Sequence, residues 1–320
     1  MKPRIGLLLG DPSGIGPELI AKLLSSRETR AQAEILVIGD QRLLSAPSCP
    51  VASTARQSSE PDSPVPIFDW RLSDPSEYPL ATASAVSGAY VLSVLRLAAE
   101  VIQRKEIDAL VYAPLNKAAM KMAGMHEEDE MHFMATRLGY TGYMSEINVC
   151  DALCTTRVTS HVPISAVAGL ITRERILDAT RLINRTLIAN GNPTPRIAVA
   201  GLNPHAGEGG QMGTEEITTI GPAVQQAKSE GITVDGPFPA DTVFIAARNG
   251  RFDAVVTMYH DQGQIATKLL GFERGVTIHG GLPLPITTPA HGTAFDIAGK
   301  GIASVSAMQA AFATAARSAC

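Results

Sequence analysis

Six short apolar runs punctuate the chain, and between them lie longer stretches of helical spacing. "RIGLLLG" (4–10), "EILVIGD" (34–40), "IDALVYA" (107–113), "LCTTRVTS" (153–160), "RIAVAGL" (196–202) and "FDAVVTM" (252–258) read as strands. Residues 16–25, 84–104, 173–189, 214–230 and 303–317 carry apolar side chains at helical intervals. A chain that alternates strand and helix in this way is expected to fold as an α/β protein with mostly parallel sheets. Residues 45–83 break the alternation. They are rich in Ser, Pro and Ala and read as a surface excursion around one short strand near "VPIFDW". There is no internal repeat and no heptad series.

The length of 320 residues suits one large or two ordinary domains. A net charge of −4 offers no basic field to nucleic acid or to an anionic membrane. No apolar run is expected to reach the roughly 20 residues that span a bilayer. "MKPRIGLLLGD" reads as a first strand and not as a signal peptide, so a cytoplasmic location is expected. Cys49, Cys150, Cys154 and Cys320 are scattered, and the single C-x3-C pair has no second pair to complete a zinc site. They are expected to be thiols.

Polar clusters follow the apolar runs: "GDPSGIGPE", "APLNKAA", "SHVPIS", "NPHAGEGG" and "HDQG". Ligands of open α/β sheets bind beyond the carboxyl ends of the strands, so these loops are expected along one edge. "GDPSGIGPE" matches neither GxGxxG nor GK[ST]; a tight turn into a helix and a ligand role are equally open. Asn116 and Lys117 precede a helix, where Lys117 serves either as a solvated cation or as an anion-binding or proton-transfer group. His161, His205 and His260, three of the seven histidines, each follow a separate strand. Three imidazoles suit Zn²⁺, Co²⁺ or Ni²⁺ and leave a coordination position open. Asp241 and Asp261 are candidate acid–base groups or carboxylates that orient an imidazole; a helix N-cap is the alternative for Asp241. Lys268 is placed to reach a substrate anion. In "PAHGTAFDIAGKGIAS" the glycines permit close backbone approach to a ligand, and Asp296 suits a ribose diol, which favours NAD over NADP. His126, His132 and His279 receive no role.

Taken jointly, "GDPSGIGPE", "APLNKAA", "SHVPIS", "GLNPHAGEGGQMGTEE", "DGPFPADTVF", "MYHDQGQIATKLLGF" and "HGTAFDIAG" resemble the PdxA family of 4-hydroxythreonine-4-phosphate dehydrogenase-like enzymes nearly end to end. The resemblance implies a two-domain isocitrate/isopropylmalate dehydrogenase-like fold. Residues 1–121 plus 270–320 would form the cofactor side, and 122–269 the metal, substrate and dimerisation domain. It implies a homodimer with shared active sites and NAD held near His291, Gly292, Thr293, Ala294, Asp296 and Ile297. It also implies a divalent metal (Zn, Co, Ni, Mg or Mn) on His161, His205 and His260, one of them supplied by the second copy. The implied reaction oxidises a secondary alcohol of a hydroxy acid, with decarboxylation as an option for the product.

The substrate segment departs from the family pattern. The family "GHTE" His and Thr fall on Glu130 and Met131, its Asn on Thr277 and its Arg on Ile286, while Lys268 is retained. Loss of an arginine removes a bidentate phosphate partner, and Glu130 repels a phosphate dianion. The expected substrate is therefore an unphosphorylated hydroxy acid or a cis-diol carboxylate. The phosphorylated namesake substrate is the alternative. A metal-dependent hydrolase, an acyltransferase acting on phosphate and a non-catalytic binding protein are rivals from other classes.

Overall fold

The computed structural model describes residues 2–44, 51–52, 63–150 and 153–319. Cys49, Cys320 and part of the 45–83 excursion lie outside these. The chain divides into two compact units, Met1–Gly142 with Leu282–Cys320, and Tyr143–Gly281.

The first unit opens with β1 (Arg4–Leu8), α1 (Gly16–Ser25), α2 (Arg27–Gln32), β2 (Glu34–Gly39), β3 (Val51–Ala52) and β4 (Val65–Asp69). It continues with α3 (Ala85–Gln103), β5 (Ala109–Tyr112), α4 (Lys117–Met122) and α5 (Glu130–Leu138). The second unit contains β6 (Ser145–Cys150), β7 (Leu153–Arg157), α6 (Ile164–Leu170), α7 (Arg173–Ala189), β8 (Ile197–Ala200) and α8 (Gly221–Ser229). β9 (Val234–Phe238), α9 (Ala240–Arg248), β10 (Ala254–Thr257), α10 (His260–Gly271) and β11 (Val276–Gly280) complete it. The chain then returns to the first unit with β12 (Ile286–Pro289) and α11 (Ser306–Ser318).

In the first unit the strand order is β3-β4-β2-β1-β5-β12, all parallel. Ile5, Leu7 and Leu8 of β1 and every residue of β5 and β12 are buried. Strands covered on both faces become continuous apolar runs, which is why they stand out in the sequence. The second unit orders its strands β11-β6-β7-β10-β8-β9. β7, β10, β8 and β9 are mutually parallel, and β6 and β11 pair antiparallel at the other end.

The expected α/β class holds. The domain boundaries drawn from the sequence differ from those of the compact units. α5 packs on α3, which keeps 122–142 with the first unit, and β11 pairs with β6, which keeps 270–281 with the second. The helix expected over 214–230 is interrupted: Glu216–Ile220 form a π-helical turn before α8. Pro222 brings no N–H to the carbonyl four residues back, so the helix widens there.

Contrary to expectation, one helix among the described residues is long and apolar enough to cross a bilayer. α3 has 19 residues and a mean hydropathy of 1.6 over its best window. It is a core helix, with Tyr90, Val91, Ala98 and Val101 inaccessible to solvent. Its N-cap is Ser84, which accepts the Ser87 N–H.

α3 approaches α4 so closely that a Cβ on Gly88 would stand 1.9 Å from the Ala119 carbonyl oxygen. That contact seats the start of α4, where Lys117 lies. We predict that Gly88→Ala lowers unfolding free energy by about 2 kcal/mol or more through overpacking, read by denaturant titration; an unchanged midpoint refutes the close packing.

Candidate active site

The second unit sets its histidines on three adjacent strands. β7, β10 and β8 lie side by side and run parallel. His161 follows β7, His260 opens α10 directly after β10, and His205 follows β8. The three loops therefore leave one sheet edge next to one another. The rings of His161 and His260 stand 5.8 Å apart between centroids.

Hydrogen bonds tie these loops together. The Thr159 N–H and hydroxyl both donate to the Met258 carbonyl, at 3.1 and 2.8 Å. Gln262 accepts the Met258 N–H at 2.7 Å and donates its Nε2 to the Gly201 carbonyl at 2.8 Å. The "HDQG" cluster is thus a helix start, and its amide is a clamp between the ends of β10 and β8.

The loop carrying His205 has an unusual backbone. His205, Ala206, Gly207, Glu208 and Gly209 all have positive φ, between 42° and 78°. Non-glycine residues rarely adopt this region, and such backbone persists only when its surroundings determine it. Glu216, 3% exposed, supplies the constraint. Its Oε1 accepts the N–H groups of Leu202 and Asn203 at 2.8 Å each, and its Oε2 accepts Asn203 Nδ2 at 2.9 Å.

Two imidazoles are already oriented by carboxylates. His260 Nδ1 lies 2.7 Å from Asp261 Oδ1, and His205 Nδ1 lies 2.9 Å from Glu208 Oε2. A neutral ring that donates Nδ1–H to a carboxylate presents Nε2 as a metal donor. This donor set fits a divalent transition metal, and imidazoles suit Zn²⁺, Co²⁺ or Ni²⁺ better than Mg²⁺. The Glu208 hydrogen bond, followed by its charge and that of Asp241, raises the His205 pKa. Asp241 lies in the first turn of α9, exposed; it is not the N-cap, a position held by Pro239. Lys268 is exposed on α10, and Thr277 on β11 donates to Asn148 Oδ1 at 3.4 Å.

The first unit holds the other expected residues. Asn116 caps α4 by accepting the Ala119 N–H at 2.9 Å. Lys117 Nζ stands 3.8 Å from Glu130 Oε2, and the Glu130 side chain is 13% exposed. Glu130 Oε1 accepts the Tyr112 hydroxyl at 3.5 Å. Met131 is 5% exposed and packs inward. Ile286 corrects the sequence expectation: as a fully enclosed residue of β12, it has no surface to offer a substrate. Its position in the family pattern points to the substrate, but packing claims it.

The glycine loop lies against the β1–α1 turn of the same unit. Ile15 N–H donates to the Thr293 carbonyl at 3.1 Å, and a Cβ on Gly14 would meet Thr293 at 2.8 Å. Ala294 adopts φ 44°. His291 Nδ1 lies 3.0 Å from the Gly292 carbonyl oxygen, Asp296 is exposed and Ile297 half-buried. A cavity of about 600 Å³ borders this region, lined by Gly14, Pro17, Glu18, Lys22, Gly299 and Gly301 among others. That size is ordinary for a cofactor pocket. From the glycine loop it takes Gly299 and Gly301, and it includes none of the six residues expected to hold the cofactor. Lys22 binds Glu18 Oε1 at 2.7 Å and the carbonyls of Gly301 and Ala303 at 3.0 and 2.7 Å, which pins the loop to α1. Glycine backbone and open space fit a dinucleotide there.

Glu208, Glu216 and Tyr112 receive no assignment from the sequence, whereas Gln262 stands in the polar run His260-Asp261-Gln262 that follows an apolar strand. Glu208 had a signal, since it lies within "NPHAGEGG" three residues after His205.

A family model described as "Pyridoxal phosphate biosynthetic protein PdxA" matches residues 31–315. The chain belongs to the PdxA family. Among its relatives, the "Putative 4-hydroxythreonine-4-phosphate dehydrogenase 2" of Pseudomonas aeruginosa is 49% identical, over 98% of this chain and 96% of the relative. A "Putative D-threonate 4-phosphate dehydrogenase" of Oceanobacillus iheyensis is 40% identical, over 94% and 93%. The crystal structure of 4-hydroxythreonine-4-phosphate dehydrogenase from Klebsiella pneumoniae superposes with TM-score 0.85 and 35% identity, covering 100% of this chain and 98% of that one. A β-decarboxylating dehydrogenase from Thermococcus kodakarensis shares the fold, at TM-score 0.51, 15% identity and coverage of 96% and 81%. This PdxA-family chain is an oxidoreductase acting on a CH–OH group.

Asp11, in the β1–α1 turn of this family member, is wholly inaccessible to solvent. Burial lifts its pKa from 3.8 to about 6, against the pull of the Ser13 N–H at 2.8 Å. The folded state therefore holds the proton more tightly than the unfolded chain. Its contribution to stability is complete below pH 3.8 and is lost as pH rises through about 6. We predict that, from pH 4 to 7, wild type loses up to roughly 3 kcal/mol of unfolding free energy relative to Asp11→Asn. A difference independent of pH in parallel urea titrations refutes it.

Proposed function

We propose that this PdxA-family enzyme is a NAD- and divalent-metal-dependent dehydrogenase that oxidises the secondary alcohol of a hydroxy acid. The observation that carries this reading is the delivery of His161, His260 and His205 from three adjacent parallel strands, two with Nδ1 already held by a carboxylate. A divalent metal held by His161, His205 and His260 would supply Lewis-acid chemistry at the alcohol oxygen, and NAD would supply the hydride acceptor. Asp261 orients His260, which leaves Asp241 and Lys117 to move the alcohol proton. The glycine loop at 291–301 would hold NAD, and exposed Asp296 would suit a ribose diol. A metal-dependent hydrolase has no use for that loop.

The substrate is proposed to carry no phosphate at its far end. Support comes from Glu130, which stands where the family pattern has a histidine. Its largely buried carboxylate neutralises Lys117 at 3.8 Å. A phosphate dianion there meets a carboxylate and a lysine already paired. A phosphorylated hydroxy acid is the second reading, favoured by the names of the relatives. Decarboxylation of the oxidised product is part of neither argument.

The second unit is also proposed to form a homodimer. Large apolar side chains protrude from the elements that follow the histidines, among them Ile164 (71% exposed), Ile217, Ile265 and Leu269 (82% exposed). Exposed apolar side chains of this size are suited to burial against a second copy. We expect Leu269→Glu to yield monomers in light scattering and to lose activity; a dimeric, active variant removes this surface from the assembly.

The reaction is tested by NAD reduction over phosphorylated and unphosphorylated hydroxy acids and cis-diols, with metal-stripped enzyme as control. The expected result is turnover of unphosphorylated substrates, at least tenfold slower turnover of 4-phosphohydroxythreonine, and a gain on the phosphorylated substrate in Glu130→His. Efficient wild-type turnover of the phosphorylated compound sinks the charge argument. His205→Ala is expected to lose bound metal and turnover together; retention of both removes His205 from the site.

A further inference from the structure

Arg157, the last residue of β7, is a charged side chain in the interior: its side chain is 3% exposed. One arm, Nη2, pairs with Glu146 on neighbouring β6, and Nε donates to Ser160 Oγ at 2.9 Å. The remaining nitrogen, Nη1, is enclosed and has no hydrogen-bond partner among the described residues. Removing a guanidinium from water costs several kcal/mol, and apolar replacements of buried ion pairs are often neutral or stabilising. Stability alone therefore gives little reason for an arginine at this position.

Its location gives one. β7 stays bonded to its neighbour through Val158 N–H to the Thr257 carbonyl and Thr159 N–H to the Met258 carbonyl. After Thr159 the chain leaves the sheet. Val162 N–H then donates to the Ser160 carbonyl at 2.7 Å, closing a tight turn with His161 at its tip. Ser160 is thus the foot of that turn, with its carbonyl engaged by Val162 and its hydroxyl by Arg157. The planar fork of arginine holds β6 and Ser160 in fixed relation, which the single ammonium of lysine does not reproduce.

We infer that Arg157 is a positioning residue for His161: through Ser160 it sets the turn that presents the imidazole beside His260. The inference rests on the proposal that His161 is a metal ligand. Partners of this kind, one step behind a ligand, alter metal affinity by about 10–100-fold when removed.

The experiment uses full-length enzyme, with Co²⁺ as the probe. Its dissociation constant is measured by chelator competition and its visible absorption spectrum recorded, and thermal unfolding of the metal-free protein is followed separately. Arg157→Met is expected to weaken Co²⁺ binding by about 10–100-fold and to change the spectrum. Ser160→Ala is expected to move both in the same direction by less, and Arg157→Lys to restore only part of the loss. Wild-type affinity and spectrum in Arg157→Met overturn the inference, whatever happens to its thermal midpoint. If Arg157→Met fails to fold, Ser160→Ala decides: an unchanged constant and spectrum overturn it equally. His161→Ala separates the two levels. If it binds Co²⁺ as wild type does, the metal reading of His161 falls; if it loses Co²⁺ while Arg157→Met does not, only the role of Arg157 falls.

Discussion

The carboxamide of Gln262 joins two strand ends that carry histidines. By accepting from Met258 and donating to Gly201, it fixes the start of α10 against the loop after β8, and Thr159 adds β7 to the same set of bonds. Each bond satisfies a backbone group beyond the last strand residue, where the sheet no longer provides a partner. A buried backbone group left unmade costs about 1–3 kcal/mol, so the three loops are held in relation to one another by the protein alone. Under the metal reading proposed for these histidines, donors arranged in advance lose little freedom on binding.

The same economy explains the loop at 203–210. A run of left-handed residues is unfavourable, and three of them, His205, Ala206 and Glu208, have side chains. Glu216 makes the conformation the low-energy choice by gathering the donors of Leu202 and Asn203. A Cβ at Gly207 would come within 2.7 Å of its Oε2, so only glycine fits there. Strain and its compensation are separated by several residues, yet they form one device.

Much of this was legible. Strands buried on both faces, such as β5, β8 and β10, cannot avoid a continuous apolar run. α1 announces itself with Gly16-Pro17-Glu18. The histidines were legible as a set because each follows its own strand. Less was visible where pairing is antiparallel or partly polar. β6 (SEINVC) carries Glu146 and Asn148, and β9 (VDGPF) contains a glycine and a proline. Ile286 shows the limit of reading by position: its place in a motif suggested a substrate contact, and β12 required an enclosed side chain. Arg157 and Glu216 gave no local signal, because their partners lie on other segments.

The division of the chain has a consequence for biosynthesis. The second unit is one uninterrupted stretch, Tyr143–Gly281, whereas the first cannot close its sheet until Ile286–Pro289 reaches β5 and α11 covers the new strand. During translation the inserted unit has all its strands while β5 still waits with an open edge. The N-terminal half must then stay soluble, though incomplete, until β12 and α11 have left the ribosome.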